Sequence, residues 1–333
     1  MKRFLIVCFA LLFAVGMISC TETTDTPDTP DMPAMEILIG INQFVEHPAL
    51  DAVREGFIDY LNENGYPEGD VVTYDVNFAQ ADFGTATLIA EKLVGLNPAL
   101  ILAIATPSAQ ATVDSTEEIP VLFSAITDPV GAGLVDSLEG GGKNVTGTSD
   151  LSPVDTQFEL ILEIVPDAKK IGFIYNAGES NSLTSLEQAK AEAERLGLEI
   201  VEATASNSSE VLIAAESLVG NVDAIHIPTD NTVVSAFESI TKVCYDNGIP
   251  LFAADVDSVP RGAIAAIAID YYRLGLQTGR MAVEILEGKD PGTMPTETLE
   301  DLLLYVNLDS AEAIGITIPD AVIERADEVI DEE

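Results

Sequence analysis

From residue 36 almost to the C-terminus, short apolar runs alternate with stretches whose apolar residues recur every three or four positions. Residues 36–42 (EILIGIN), 99–105 (ALILAIA), 121–126 and 170–175 (KIGFIY) are the clearest runs. Continuous apolar runs of this length predict strands buried on both faces, as in parallel sheets. Residues 48–64 place Leu50, Val53, Phe57 and Leu61 on one helical face and stop at Gly65. Further helices are expected at 83–96, 106–116, 154–165, 182–196, 237–246 and 271–287, the last with Asp270 as its start signal. The remaining strands are expected at 71–78, 144–148, 199–204, 224–227, 251–254, 263–269 and 302–306, before an acidic terminal helix over 319–330. Strands alternating with helices imply βαβ units. The pattern restarts after the glycine turn at 140–143. The expected α/β fold is therefore two Rossmann-like lobes, each a mostly parallel sheet flanked by helices, joined by a hinge. The N-terminal lobe is placed at 35–146 and the C-terminal lobe at 147–300. Residues 301–333 are read as a hinge return strand and a terminal helix.

Ahead of this pattern lie Lys2 and Arg3, an apolar run over 4–17, and Ser19 before Cys20. That layout is a secretory signal. The run is shorter than the about 20 residues a membrane span takes. Residues 21–34 (TETTDTPDTPDMPA) cannot bury apolar surface and read as a flexible tether. Met17-Ile18-Ser19-Cys20 resembles the lipobox of bacterial lipoproteins, with Met17 where Leu is usual. The resemblance implies that residues 1–19 are removed and that Cys20 is lipidated. Residues 20–34 then tether an exported protein to the extracytoplasmic face of the cell membrane.

Composition narrows the chemistry. The chain carries 56 acidic and 15 basic residues, a net charge of −41. Such a surface repels nucleic acid and anionic lipid, and salt screens its self-repulsion. No EF-hand loop accompanies the acids. Of the three cysteines, Cys8 falls in the signal and Cys20 at the anchor, leaving Cys244 as a buried apolar residue without a disulfide partner. The only histidines are His47, at a helix start where it either lines a cleft or merely caps, and His226, inside a strand-like run and read as structural. There is no G-x-S-x-G elbow. Gly142-Lys143-Asn144 fails the phosphate-loop pattern. No catalytic residue, metal or cofactor is expected.

Ligands of open α/β sheets bind beyond the carboxyl ends of the strands. Those ends carry Gln43 and Phe44, Thr106 to Ala109, Thr127 and Asp128 in the first half. In the second half they carry Asn176, Glu179, Asn181 and Ser182, then Thr229, Asp230 and Asn231, then Asp255, Asp270 and Tyr271. Thr106 as N-cap with Pro107 behind it would leave the amides of Ser108 and Ala109 facing outward, ready for a carboxylate. Asp230 would suit a cationic amine. Together they suit a zwitterion held between lobes. Singly, each residue reads equally as a helix cap or turn residue.

Several blocks in order resemble the substrate-binding lipoproteins of ABC transporters, of the tryptophan/tyrosine-binding type. They are 47–51 (HPALD), 104–110 (IATPSAQ), 127–130 (TDPV), 140–150 (GGGKNVTGTSD), Asn176 with Glu179, Asn181 and Ser182, 228–232 (PTDNT) and Asp270-Tyr271-Tyr272 with Leu274-Gly275. The resemblance implies a type I periplasmic-binding-protein fold. It also implies a monomeric clamshell without catalysis that serves a membrane permease. On that basis Thr106, Ser108 and Thr127 take a ligand carboxylate, and Asp230, with Asp255 or Asp270, takes the amine. Phe44 and Tyr271 flank an aromatic side chain, and Asn176, Glu179 and Ser182 close from the second lobe. A sugar or nucleoside ligand, or a sensing or adhesive role for the same cleft, stays open at this point.

Overall fold

The computed structural model describes residues 37–140 and 143–331. The expected signal, Cys20, the tether and two glycines of the 140–143 turn lie outside the described residues. The alternating pattern is realised as β1 (Ile37–Gln43), α1 (Pro48–Glu63), β2 (Val72–Phe78), α2 (Phe83–Leu96), β3 (Leu100–Ile104), α3 (Thr106–Ser115), β4 (Val121–Ile126) and β5 (Val145–Ser149). There follow α4 (Val154–Ile164), β6 (Lys170–Tyr175), α5 (Ser180–Leu196), β7 (Glu199–Thr204), α6 (Val211–Leu218) and β8 (Ala224–Ile227). Next come α7 (Asn231–Val234), α8 (Phe237–Asn247), β9 (Leu251–Ala253), β10 (Ala265–Ala268) and α9 (Tyr271–Leu286). The chain ends with β11 (Glu297–Thr298), β12 (Leu303–Asn307), α10 (Leu308–Ala313), α11 (Asp320–Ile323) and β13 (Glu328–Ile330).

One sheet has the order β11-β5-β4-β3-β1-β2, parallel throughout. The other has the order β13-β12-β10-β9-β8-β6-β7 and is parallel except for β10 against β12. Both are flanked by helices, as the pattern implied. Phe44, Phe57 and Phe123 fill the first lobe, and Phe158, Phe173, Phe237 and Phe252 the second. Cys244 lies in the second core, where burial pushes its thiol up to about 12. His226 stands between Phe158 and Phe173, with ring centroids 5.4 and 6.0 Å away. It is a core residue, and burial lowers its pKa to about 4. Among the described residues no helix is long and apolar enough to cross a membrane.

The lobes are not consecutive stretches of chain. The expected boundary between 146 and 147 falls inside β5, which pairs with β4 in the first sheet. Helix α9 and β11 were expected in the second lobe, yet α9 packs along α1 and β11 pairs with β5. The chain thus passes between the sheets near residues 150, 270 and 300. Glycines explain where α9 sits. A Cβ on Gly275 would lie 2.2 Å from the Val53 carbonyl oxygen, and one on Gly56 2.2 Å from that of Tyr272. The two helices therefore meet backbone to backbone, which only residues without a side chain permit.

The expected terminal helix over 319–330 is also corrected. Only Asp320–Ile323 is helical, and Glu328–Ile330 pairs parallel with β12. Asp327 fixes this turn to strand. Its carboxylate accepts from the Leu304 amide at 2.8 Å while its own amide donates to the Leu304 carbonyl. Edge pairing outweighs the helical periodicity of the segment.

Candidate ligand-binding site

The carboxyl ends of the strands in both sheets face one narrow cavity between the lobes. The first lobe contributes His47, Ala49 and Leu50 at the start of α1, Ala125 and Thr127 from β4, and Asp150 just after β5. Tyr271, the first residue of α9, joins them. The second lobe contributes Asn181, Thr229, Asp230, Asn231, Val234 and Asp255. The lobes are in contact across the opening. The Thr127 and Thr229 hydroxyls are 3.2 Å apart, and Gln110 Nε2 donates to Ser180 Oγ at 3.4 Å. Backbone strain sits at this rim. Ala105 after β3 has φ 75° and Ala125 within β4 has φ 57°, beside a register shift between Phe123 and Ile126. Left-handed alanines cost of order 1–3 kcal/mol each and persist where the surroundings over-determine them.

The lining holds three carboxylates and no Lys or Arg. Asp150 Oδ1 accepts from the Thr127 hydroxyl at 3.2 Å, and Oδ2 from the Tyr271 hydroxyl at 2.8 Å. Burial, only partly offset by these hydroxyls, raises its pKa. Asp255 accepts from the Ser258 amide and hydroxyl at 2.8 and 2.9 Å, and burial raises it too, with the nearby Arg261 opposing. Asp230 is more heavily committed. It accepts from the Asn176 amide (2.5 Å), the Ser182 hydroxyl (2.6 Å) and the Val233 amide (2.8 Å). Burial and then the charge of Glu179 push its pKa up. A carboxylate offers about four lone-pair positions. Asp150 accepts from only two hydroxyls, and among the described residues no backbone amide or Lys/Arg is bonded to it, so it has the most to gain from a positive group.

Of the expected site residues, Thr127, Thr229, Asp230, Asn231, Asp255 and Tyr271 line the cavity. The others are placed elsewhere. Phe44 is buried in the first core with its ring 5.3 Å from Phe83, so it is not positioned to stack on a ligand. Gln43 donates to the Val45 carbonyl and to Asp51, and accepts from Arg54. Thr106 is not the N-cap; Ala105 occupies that place, with Thr106 the first helical residue and its buried hydroxyl without a partner among the described residues. The Ala109 amide does not face outward but donates to the Ala105 carbonyl. Ser108 donates to Asn42 at 3.1 Å. Asp128 and Asp270 are caps, accepting from the Gly131 and Arg273 amides.

Glu179 is saturated inside the second lobe. It accepts from the amides and side chains of Asn231 and Thr232 and from the Asn181 side chain. With Asn176 and Ser182 it braces the segment that carries Asp230, rather than lining the cavity. Asn181, at a strand end read as part of the cleft, also lines the cavity, whereas Asp150 was missed as a site residue. Asp150 follows a strand, so the strand-end rule applied to it, but β5 was expected to stop at 148.

Two mostly parallel lobes closed over a cavity lined by three aspartates define a two-lobed solute-binding protein of the type I periplasmic-binding fold. An allitol-bound solute-binding protein from Agrobacterium vitis shares that fold at 17% identity and a TM-score of 0.59. The chain belongs to the ABC transporter substrate binding protein family, whose model matches residues 38–330. It is 45% identical to a tyrosine-binding protein of Clostridioides difficile over 84% of this chain and 81% of that one. It is also similar to an ABC domain solved with L-Trp, from Streptococcus pneumonia. That structure gives 36% identity and a TM-score of 0.86, covering 89% of this chain and 100% of the other. A ligand-free, open substrate binding protein with adhesive properties from Clostridium difficile is 42% identical over the same shares. Its TM-score is nevertheless 0.66, which agrees with the closed lobe contacts seen here.

Proposed function

We propose that the protein is the extracytoplasmic receptor of an ABC importer and binds one free amino acid with an aromatic side chain in the closed cleft. The observation that carries this is the cavity lining. Buried carboxylates from both lobes face a space with no Lys or Arg, an arrangement that calls for a ligand ammonium. Asp150 is its principal partner. The Thr229 hydroxyl of the second lobe offers a donor to the ligand carboxylate, the Thr127 proton being given to Asp150, and a ligand held by groups of both lobes favours closure. Tyr271, Leu50 and Val234 supply apolar surface for a ring. The tyrosine-binding relative and the complex with L-Trp support an aromatic amino acid. The role is binding and delivery to a permease by a monomer held at the membrane through lipidated Cys20. No catalytic step is assigned.

A thermal-shift screen of the twenty amino acids, sugars and nucleosides tests the ligand class. At 100 times its dissociation constant, the true ligand adds about 2.7 kcal/mol of stability. An aromatic amino acid is expected to give the largest shift. A shift with a sugar or nucleoside and with no amino acid would falsify the proposal. For the anchor, Cys20→Ser is expected to move the protein from the membrane to the soluble fraction, and continued membrane retention would refute lipidation.

A further inference from the structure

Closure brings carboxylates of opposite lobes into one cavity. Asp150 is fixed to the first lobe, through the Thr127 and Tyr271 hydroxyls and the Ile126 carbonyl that accepts its amide. Asp255 is fixed to the second, through the amide and hydroxyl of Ser258. Both line the cavity and are only 5% and 3% exposed. Asp230 lines it too, but its charge is spread over donors of its own lobe, from Asn176, Ser182 and Val233. Those bonds do not depend on closure.

The other two charges are poorly balanced. The cavity lining holds no Lys or Arg. Arg261 acts on Asp255, yet its guanidinium pairs with Glu238 at 2.7 Å and donates to the Val234 carbonyl at 2.9 Å. His47, also in the lining, brings no charge at neutral pH, because burial and then Arg261 lower its pKa to about 4. Burial raises the pKa of Asp150 and, with Arg261 opposing, that of Asp255. Closing the empty cleft therefore takes two carboxylates out of water without a partner cation, which costs far more than a hydrogen bond returns. The return is small. The Thr127–Thr229 and Gln110–Ser180 contacts across the cleft, at 3.2 and 3.4 Å, are both longer than ordinary hydrogen bonds.

We infer that Asp150 and Asp255 form an electrostatic gate: uncompensated, they hold the ligand-free clamshell open, and the ligand ammonium closes it by neutralising them. The inference takes the identity of the cation from the amino-acid reading above, but the open state of the empty protein does not depend on that reading. Opening returns both carboxylates to water. An ammonium carries three donors, enough to serve carboxylates of both lobes at once. A molecule of the same shape without the ammonium leaves the gate charged.

Small-angle X-ray scattering on the purified protein at neutral pH tests the gate. Without ligand, the closed form is expected to make up less than about a tenth of the parent and more than about half of Asp150→Asn/Asp255→Asn. The amide at 255 keeps an oxygen for the Ser258 amide, so the change is one of charge. Glu91→Gln/Glu187→Gln removes the same charge from exposed positions on the two lobes and is expected to stay open. L-tyrosine or L-tryptophan is expected to close the parent, and desaminotyrosine, which lacks the ammonium, is not. A ligand-free parent that is already closed overturns the inference. So does a ligand-free Asn variant that stays open, closure of the outer-surface variant, or closure of the parent by desaminotyrosine. If circular dichroism shows the double variant unfolded, Asp255→Asn alone must raise the ligand-free closed-to-open ratio by at least about threefold, and an unchanged ratio overturns the gate. Closure of the ligand-free variant with no response of the parent to any amino acid upholds the gate and removes the amino-acid reading. The converse removes the gate alone.

Discussion

Asp150→Asn is expected to weaken binding of the amino-acid ligand by at least about thirtyfold while making the ligand-free protein more stable at neutral pH. Removing one partner of a buried charge pair costs about 2–5 kcal/mol of affinity, and about 1.4 kcal/mol corresponds to tenfold. The amide keeps an oxygen for the Tyr271 hydroxyl, so the loss is one of charge rather than packing. The stability gain follows from linkage. Burial holds the folded pKa of Asp150 above the ordinary carboxylate value. The unfolded chain therefore gives up this proton at lower pH than the folded one. The resulting penalty is absent below the unfolded pKa and grows as pH rises toward the folded pKa. Asn escapes it, so the difference between variant and parent should shrink as pH is lowered toward 4. Calorimetry and thermal melts across that range check both halves. Unchanged affinity would remove Asp150 from the site, and a variant less stable than its parent at pH 7 would refute the uncompensated charge.

Gly275→Val should be the most damaging single change in the scaffold, costing about 4 kcal/mol or more. The clash is with backbone, at 2.2 Å from the Val53 carbonyl oxygen, so no neighbouring rotamer can relieve it. Helix α9 would have to lift from α1, carrying Tyr271 and its bond to Asp150 away from the cavity. Gly95 is the control. It lies within α2 and a Cβ there meets nothing within 4 Å, so Gly95→Ala should be neutral or stabilising by up to about 1 kcal/mol. Urea denaturation of both variants makes the comparison. Equal midpoints would show that the close approach of α1 and α9 is not needed.

The alternation of strands and helices was legible because strands buried on both faces leave continuous apolar runs such as 99–105. Sheet membership was not, since nothing local in residues 145–149 says that β5 continues the first sheet rather than opening a second. Strand β11 has two residues, too few to leave any pattern. The site divides in the same way. The strand-end rule reached Thr127, Thr229, Asp230, Asp255 and Tyr271 because chain direction in a parallel sheet fixes which loops share an edge. It could not separate an acid that caps and also faces the cavity, such as Asp255, from one that only caps, such as Asp270. That distinction depends on tertiary packing around each carboxylate. Nor did Glu179 announce itself as an internal brace, since its partners at 231 and 232 are distant in sequence.

The three passages of the chain between the sheets set how the clamshell can fail as well as how it moves. Lobes joined by one strand could twist and translate freely. Three neighbouring connections act like the knuckles of a door hinge, leaving opening and closing as the easy motion. They also make the joint redundant. A protease that nicks the passage near 150 cuts the chain in two, yet the pieces remain packed together through α9 on α1 and β11 on β5, a useful property for a receptor working outside the cell.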